Sequence, residues 1–193
     1  MTINIIIAGT GGQGVLTAAS VVALSALQEG LTVTQSEVHG IAQRGGSVTA
    51  QLRIADTVIH CCQISRGTAD IVIGMEVVEG LRYASWLKHG GNYIAAVDRK
   101  DHFPGYPAEE ILQRELDRIP HRLLIEAEQI ALQQGGTRLT ANMVLMGAAS
   151  VHLPSIGSGT FDKVITDLFD GKNRGMVENN LRAFAAGRAL AGG

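Results

Sequence analysis

Two stretches of this chain hold residues whose types and spacing suit chemistry. The first is Gly9-Thr10-Gly11-Gly12-Gln13-Gly14. Gly9, Gly11 and Gly14 fit G-x-G-x-x-G, a spacing that lets backbone approach a ligand where a strand turns into a helix. The N–H groups opening that helix favour an anionic group. The same glycines equally serve close packing of strand on helix, so the spacing leaves both roles open. The second stretch is Ser36-Glu37-Val38-His39-Gly40-Ile41-Ala42-Gln43-Arg44-Gly45-Gly46. Its Glu37, His39, Gln43 and Arg44 suit anion binding or a partner surface, and Glu37 with His39 suits proton transfer. A solvated loop with a modest Glu37–Arg44 ion pair is the plain alternative. Glu37 also lies about 20 residues beyond the glycine turn, where a ribose-binding acid is sought in dinucleotide sites. Asn142, a lone polar residue entering an apolar run, reads as a helix cap or a satisfied core amide.

Other chemistries lack their residues. The chain has no G-x-S-x-G elbow, Walker loop, H-E-x-x-H or C-x-x-C, and no residue is assigned as a catalytic acid or base. Ser150 and His152 have no acid close by in sequence. Cys61 and Cys62 are the only cysteines, and in a predicted strand they face opposite sides. They are also fewer than the four thiolates an iron–sulfur cluster takes, so no metal is expected in this chain. A net charge of −2 argues against a nucleic-acid surface. No run reaches the roughly 18 apolar residues of a membrane helix, and the start lacks a signal-peptide pattern. A cytoplasmic location is the default expectation.

The elements that must position these residues follow from pattern. The apolar run before Gly9 reads as a buried strand, and 15–26 as a helix. Further strands are predicted at 31–35, 70–74, 93–97 and 123–126, with 47–53 and 57–64 as an antiparallel hairpin. Helices are predicted at 76–89, 108–117, 127–134, 139–152, 160–169 and 173–190. At 46% hydrophobic and 18% charged, 193 residues read as one folded domain spanning 1–193. Alternating strands and helices with a hairpin insert predict a three-layer α/β/α Rossmann-like domain with a mixed, mostly parallel sheet. The glycine turn and the end of the second strand then share the sheet edge where ligands of such folds bind.

The residues also carry a resemblance. The opening Gly9–Gly14 turn resembles that of the gamma-type domain of 2-oxoacid:ferredoxin (or acceptor) oxidoreductases. The Glu37–Val48 stretch looks like the version in the beta subunit of indolepyruvate oxidoreductase. Asn142-Met143-Val144-Leu145-Met146-Gly147-Ala148 matches the family's later helix, and the resemblance covers nearly the whole chain. It implies a subunit, inactive alone, of an assembly that oxidatively decarboxylates a 2-oxoacid such as indolepyruvate, with coenzyme A as co-substrate and ferredoxin as indirect acceptor. It also implies that thiamine diphosphate, Mg²⁺ and [4Fe–4S] clusters belong to a large partner subunit. The absence of Gly-Asp-Gly, the start of the usual thiamine-diphosphate metal motif, agrees with that division. Gly9, Gly11, Gly12, Gln13, Gly14, Glu37, His39, Gln43, Arg44, Gly45, Gly46 and Asn142 are then the candidates for cofactor binding or subunit contact. Two other readings stand beside it. One is a free-standing Rossmann enzyme binding NAD or FAD through Gly9, Gly11, Gly14 and Glu37. The other treats both glycine-rich stretches as contact surfaces with no ligand.

Overall fold

Nine consecutive residues rich in isoleucine form β1 (Thr2–Thr10), with Ile3, Ile5 and Ile7 in one apolar cluster and Ile6 in another. Both faces of this strand are covered, which is why its apolar residues run on instead of alternating. The computed structural model describes residues 1–40, 46–98, 105–171 and 174–192. Within them the other strands are β2 (Thr32–His39), β3 (Ser47–Ala55), β4 (Ala69–Gly74), β5 (Leu87–Ala96) and β6 (Arg122–Ile125). The sheet order is β2-β3-β1-β4-β5-β6. β1, β4, β5 and β6 pair in parallel, while β3 runs against both β1 and β2. The sheet is therefore mixed and mostly parallel, as the alternation of elements predicts.

The helices are α1 (Val15–Gln28), α2 (Val77–Leu81), α3 (Glu109–Asp117), α4 (Ala127–Gln133), α5 (Ala141–Ser150), α6 (Ser158–Phe169) and α7 (Arg174–Ala191). Residues of α1, α4, α5, α6 and α7 bury against Ile5, Ile7, Leu52 and Ile73 on one face. α2, α3 and the 3-10 turn at Ala84–Trp86 cover Ile6, Val72 and Tyr93 on the other. The chain thus leaves β1 for one face and the neighbouring β4 for the opposite one. Their C-terminal ends form the crevice in which open α/β sheets bind ligands. Behind it, α5 and α7 cross with backbones in contact. A Cβ added to Gly147 would lie 1.9 Å from the Phe184 carbonyl oxygen, and one on Gly187 would lie 1.8 Å from that of Val144. Only residues without a side chain permit that approach.

Three sequence expectations are corrected. The hairpin is formed by β2 and β3, not by 47–53 with 57–64. Both edges of β3 are already paired with β1 and β2, so 57–64 has no place beside β3. It crosses one face of β3 as irregular chain, tied by Arg53 Nη1 donating to the Cys61 carbonyl (2.8 Å) and Ile64 N donating to Gln51 Oε1 (2.8 Å). Cys61 and Cys62 are therefore not in a strand; Cys61 is exposed and Cys62 half-buried. The helix expected at 76–89 ends at Leu81, and β5 begins at Leu87, opposite Ala69. Gly90, with φ of 76°, and Gly91 do not stop a helix; they make the irregularity that lets pairing resume at Asn92 with Ile71. The second strand also runs further than 31–35 and carries Glu37 and His39 within it.

Candidate functional site

The glycine turn sits where β1 hands over to α1, as its spacing predicts. Gly14 is the N-cap of α1 in the left-handed region (φ 77°), and α1 has no side-chain cap. Among the described residues nothing bonds its first-turn N–H groups, which with the positive end of the dipole favour an anionic group. Gly9 instead serves packing: a Cβ there would lie 2.8 Å from Met75 Cβ and 2.9 Å from Val15 Cγ2. Gly11 N donates to the Gly46 carbonyl (2.9 Å), joining the two glycine-rich stretches. Gln13 bridges the crevice itself. Its Oε1 accepts from Thr10 N (2.6 Å), and its Nε2 donates to the Met75 carbonyl (3.0 Å), so the turns after β1 and β4 are stitched together.

Three hollows meet at this turn. A cleft of about 720 Å³ lies beyond the ends of β4 and β5, walled by Met75, Asp98, Glu128, Arg138 and Asn142. A second, of about 500 Å³, lies between α1 and α7 and is lined by Thr17, Thr140, Asn142, Asn179 and Asn180. The third, of about 530 Å³, runs from the turn past Thr17 to His39 and Gly40. Gly12 lines all three and is exposed. The acids of the first cleft are partly engaged: Asp98 accepts from Glu128 N (2.9 Å) and so caps α4, and Arg138 lies 3.6 Å from Glu128.

Asn142 is neither a cap nor a satisfied core amide, against the expectation. Thr140 occupies the N-cap position of α5, and Asn142 reaches across 128 positions of sequence to the glycine turn. Its Nδ2 donates at 3.4 Å to the Gly14 carbonyl, and its Oδ1 is buried without a partner among the described residues. The residue is 6% exposed. A Cβ on Gly14 would lie 2.3 Å from that Nδ2, so Gly14 makes room for Asn142 as well as for the turn. A buried polar atom with no partner is costly and marks a place where a ligand or water completes the bonding.

Glu37 and His39 lie at the end of β2, on the edge of the sheet that β1 and its turn share. His39 Nε2 is 3.2 Å from Glu37 Oε2, and Gln35 Nε2 donates to Glu37 Oε1 (2.6 Å). The ribose-acid reading of Glu37 is corrected by the strand order. β3 separates β2 from β1, which puts β2 two strand spacings, roughly 10 Å, from the turn. A dinucleotide acid belongs on the adjacent strand. Gln43, Arg44 and Gly45 lie outside the described residues.

The sequence reading missed Glu76 and Glu79, which are 7% and 6% exposed. Two acids three apart in the apolar run Met75-Glu76-Val77-Val78-Glu79 were the available signal. Beside them Tyr93 OH donates to the Val77 carbonyl (2.9 Å); burial, then the Glu76 charge, pushes its phenol far up, keeping it a neutral donor. Among the described residues no group of three or more His, Cys, Asp or Glu is arranged to hold a metal, and no helix is long and apolar enough to cross a membrane.

The pyruvate ferredoxin/flavodoxin oxidoreductase family model matches residues 4–190. Indolepyruvate oxidoreductase subunit IorB of Pyrococcus horikoshii is 39% identical over 153 residues, 75% of each chain. Among solved structures, the gamma subunit of a keto/oxoacid ferredoxin oxidoreductase from Geobacter sulfurreducens superposes with a TM-score of 0.71 at 22% identity, over 98% of both chains. A 2-oxoglutarate:ferredoxin oxidoreductase from Magnetococcus marinus, with 2-oxoglutarate, coenzyme A and succinyl-CoA bound, superposes at 0.77 with 24% identity, over 99% of this chain and 31% of that one. The family model over nearly the whole chain and the similarity to the Pyrococcus horikoshii subunit show that the chain belongs to the pyruvate ferredoxin/flavodoxin oxidoreductase family.

Proposed function

We propose that this chain is the gamma-type subunit of a cytoplasmic 2-oxoacid:ferredoxin oxidoreductase whose substrate is an arylpyruvate such as indolepyruvate. The similarity to a subunit named for indolepyruvate supports the substrate class. In this reading the chain is inactive alone and completes an assembly that turns the 2-oxoacid into acyl-CoA. Thiamine diphosphate with Mg²⁺ and the [4Fe–4S] clusters sit in the large partner subunit, where they supply carbanion stabilisation and one-electron transfer toward ferredoxin. The donor set of this chain does not fit a cluster: it has two cysteines, adjacent in sequence.

The contribution of this chain is to line the approach of coenzyme A. The observation that carries this is the meeting of an uncapped α1 N-terminus with the unpartnered Oδ1 of Asn142. N–H groups and dipole suit a phosphate oxygen, and Asn142 suits a hydrogen-bonding group beside it. Gly12 lets a long ligand lie against backbone, since a Cβ there would find nothing within 4 Å. His39 and Gly40 line the third hollow at the same turn, and Arg44, in the same stretch of sequence, is the cation we assign to a phosphate.

The test is reconstitution. The purified chain should reduce no viologen dye with any 2-oxoacid, and adding the large subunit should give activity with arylpyruvate favoured over pyruvate. Asn142→Ala should raise the KM for coenzyme A about tenfold with a smaller effect on kcat, the mark of lost ground-state binding. Activity from the chain by itself, or heat on titrating it with NAD or FAD, overturns the reading. Arg44→Ala that weakens assembly and leaves the KM for coenzyme A alone would assign the Glu37–Gly46 stretch to subunit contact instead.

A further inference from the structure

Glu76 and Glu79 lie outside the hollows described above, yet both are nearly buried at the turn after β4. Burying a carboxylate is costly unless its oxygens find donors. All four oxygens do. Glu79 Oε2 accepts from Ser47 Oγ (2.6 Å) and its Oε1 from Arg82 Nε (3.1 Å). Glu76 Oε2 accepts from Glu79 N (3.0 Å) and its Oε1 from Tyr106 OH (2.6 Å). Glu76 is the N-cap of α2, so helix formation accounts for it. Glu79, in the first turn of α2, suits the helix dipole and pairs with Arg82, but neither role accounts for its bond to Ser47 in β3.

What Glu79 holds is the point where the chain re-enters the sheet beside the glycine turn. Ser47 opens β3 opposite Thr10, and the carbonyl just before it, on Gly46, receives the Gly11 N–H. Ser47, Thr49, Gln51 and Arg53 share one face of β3, and each side chain bonds to a segment packed on that face: Glu79, Tyr83, Ile64 N and the Cys61 carbonyl. Of these, the Ser47 contact alone ends on a buried charge.

We propose that Glu79 and Ser47 are a positioning pair: the buried carboxylate holds the Gly46-Ser47 entry of β3 against Gly11 and thereby sets the wall of the groove at the glycine turn. Glu76 braces the pair by fixing the first turn of α2 to Tyr106. The consequence for turnover rests on the reading of this turn as the coenzyme A approach.

The experiment uses the full chain, first alone and then reconstituted with its large subunit. In the chain alone, amide hydrogen exchange at Gly11 is followed by NMR in wild type, Ser47→Ala and Ser47→Thr, with Ile5, Ile6 and Ile7 as internal references. Losing a charged hydrogen bond should speed local opening about tenfold or more. Ser47→Ala should therefore accelerate Gly11 and leave the references unchanged, and Ser47→Thr, which keeps the hydroxyl, should restore the wild-type rate. In the reconstituted enzyme Ser47→Ala should raise the KM for coenzyme A severalfold with kcat within about twofold. Gly11 exchange unchanged in Ser47→Ala, or acceleration shared equally by the three isoleucines, overturns the positioning pair. Acceleration confined to Gly11 with an unaltered KM upholds the pair and removes the coenzyme A reading.

Discussion

Gly147→Ala puts the crossing of α5 and α7 to the test, and with it the placement of Asn142. The added Cβ would start 1.9 Å from the Phe184 carbonyl oxygen. A carbon–oxygen contact needs about 3.3 Å, so the two helices must part by roughly 1.4 Å. The obstacle is backbone, which cannot rotate aside as a side chain can. Overpacking of this kind costs about 1–3 kcal/mol, sometimes more. Here the gap also loosens Phe184 and Ala183, both buried, and a gap of 0.5–1 Å already forfeits about a quarter to a half of a contact's attraction. A cost near 3 kcal/mol follows, which for a chain of this length lowers Tm by roughly 6–12 °C. Circular dichroism melts measure it. Gly159→Ala, in the first turn of α6 where a Cβ meets nothing within 4 Å, is the control and should be neutral or slightly stabilising. Gly147→Ala combined with Gly187→Ala should cost less than the two singles summed, because the helices need part only once. A Gly147→Ala protein melting within about 1 °C of wild type would refute the close crossing.

Other outcomes follow from single contacts. Gly14→Ala places a side chain at φ 77° and against Asn142 Nδ2; it should cost about 1–2 kcal/mol for the backbone alone and weaken coenzyme A binding in the reconstituted enzyme. Gly12→Ala meets no protein atom, so its cost to stability should be confined to backbone strain at φ 96°, and stability losses equal to those of Gly14→Ala would contradict the geometry. Gln13→Ala removes one bond within the turn and one across the crevice and should destabilise by about 1–3 kcal/mol in urea titrations, with Gln13→Glu only partly compensating because it cannot donate to the Met75 carbonyl. The Glu29 carboxyl accepts from Thr160 Oγ1 and Gly157 N at the start of α6, and these bonds, Thr160 first, hold its pKa below the usual 4.5. A depressed carboxylate stabilises above its unfolded pKa and loses that contribution as pH falls through the folded one. The stability gap between wild type and Glu29→Gln should therefore be largest near neutrality and shrink below about pH 4.5; a gap independent of pH would count against the cap.

How much of the fold is legible in the sequence depends on the range of the forces involved. β1, α1, β4, β6 and the later helices are set by local periodicity and by glycine or proline stops, and those lie within a dozen residues. The 57–64 run has the composition of a strand, but a hairpin with β3 needs a free edge on β3, and the pairing of β3 with both β1 and β2 leaves none. Gly90 and Gly91 look alike as a helix stop and as a bulge, and only the pairing of Leu87 with Ala69 decides. The site divides the same way. The turn from Gly9 to Gly14 is local and legible. Asn142 stands beside it only because α5 is carried back over 128 positions, and Glu37 is displaced only because β3 inserts between β2 and β1. Ser47 and Glu79, 32 positions apart, show nothing of their bond in either flanking sequence.

Gly12 stands like a watershed, with a valley falling away on each of three sides. The valleys differ in soil: one holds Asp98 and Glu128, one the amides of Asn179 and Asn180, one the imidazole of His39. A long molecule draped over that summit would meet a different set of hydrogen-bonding partners on each slope. Planting a bulky side chain at position 12 would dam all three at once.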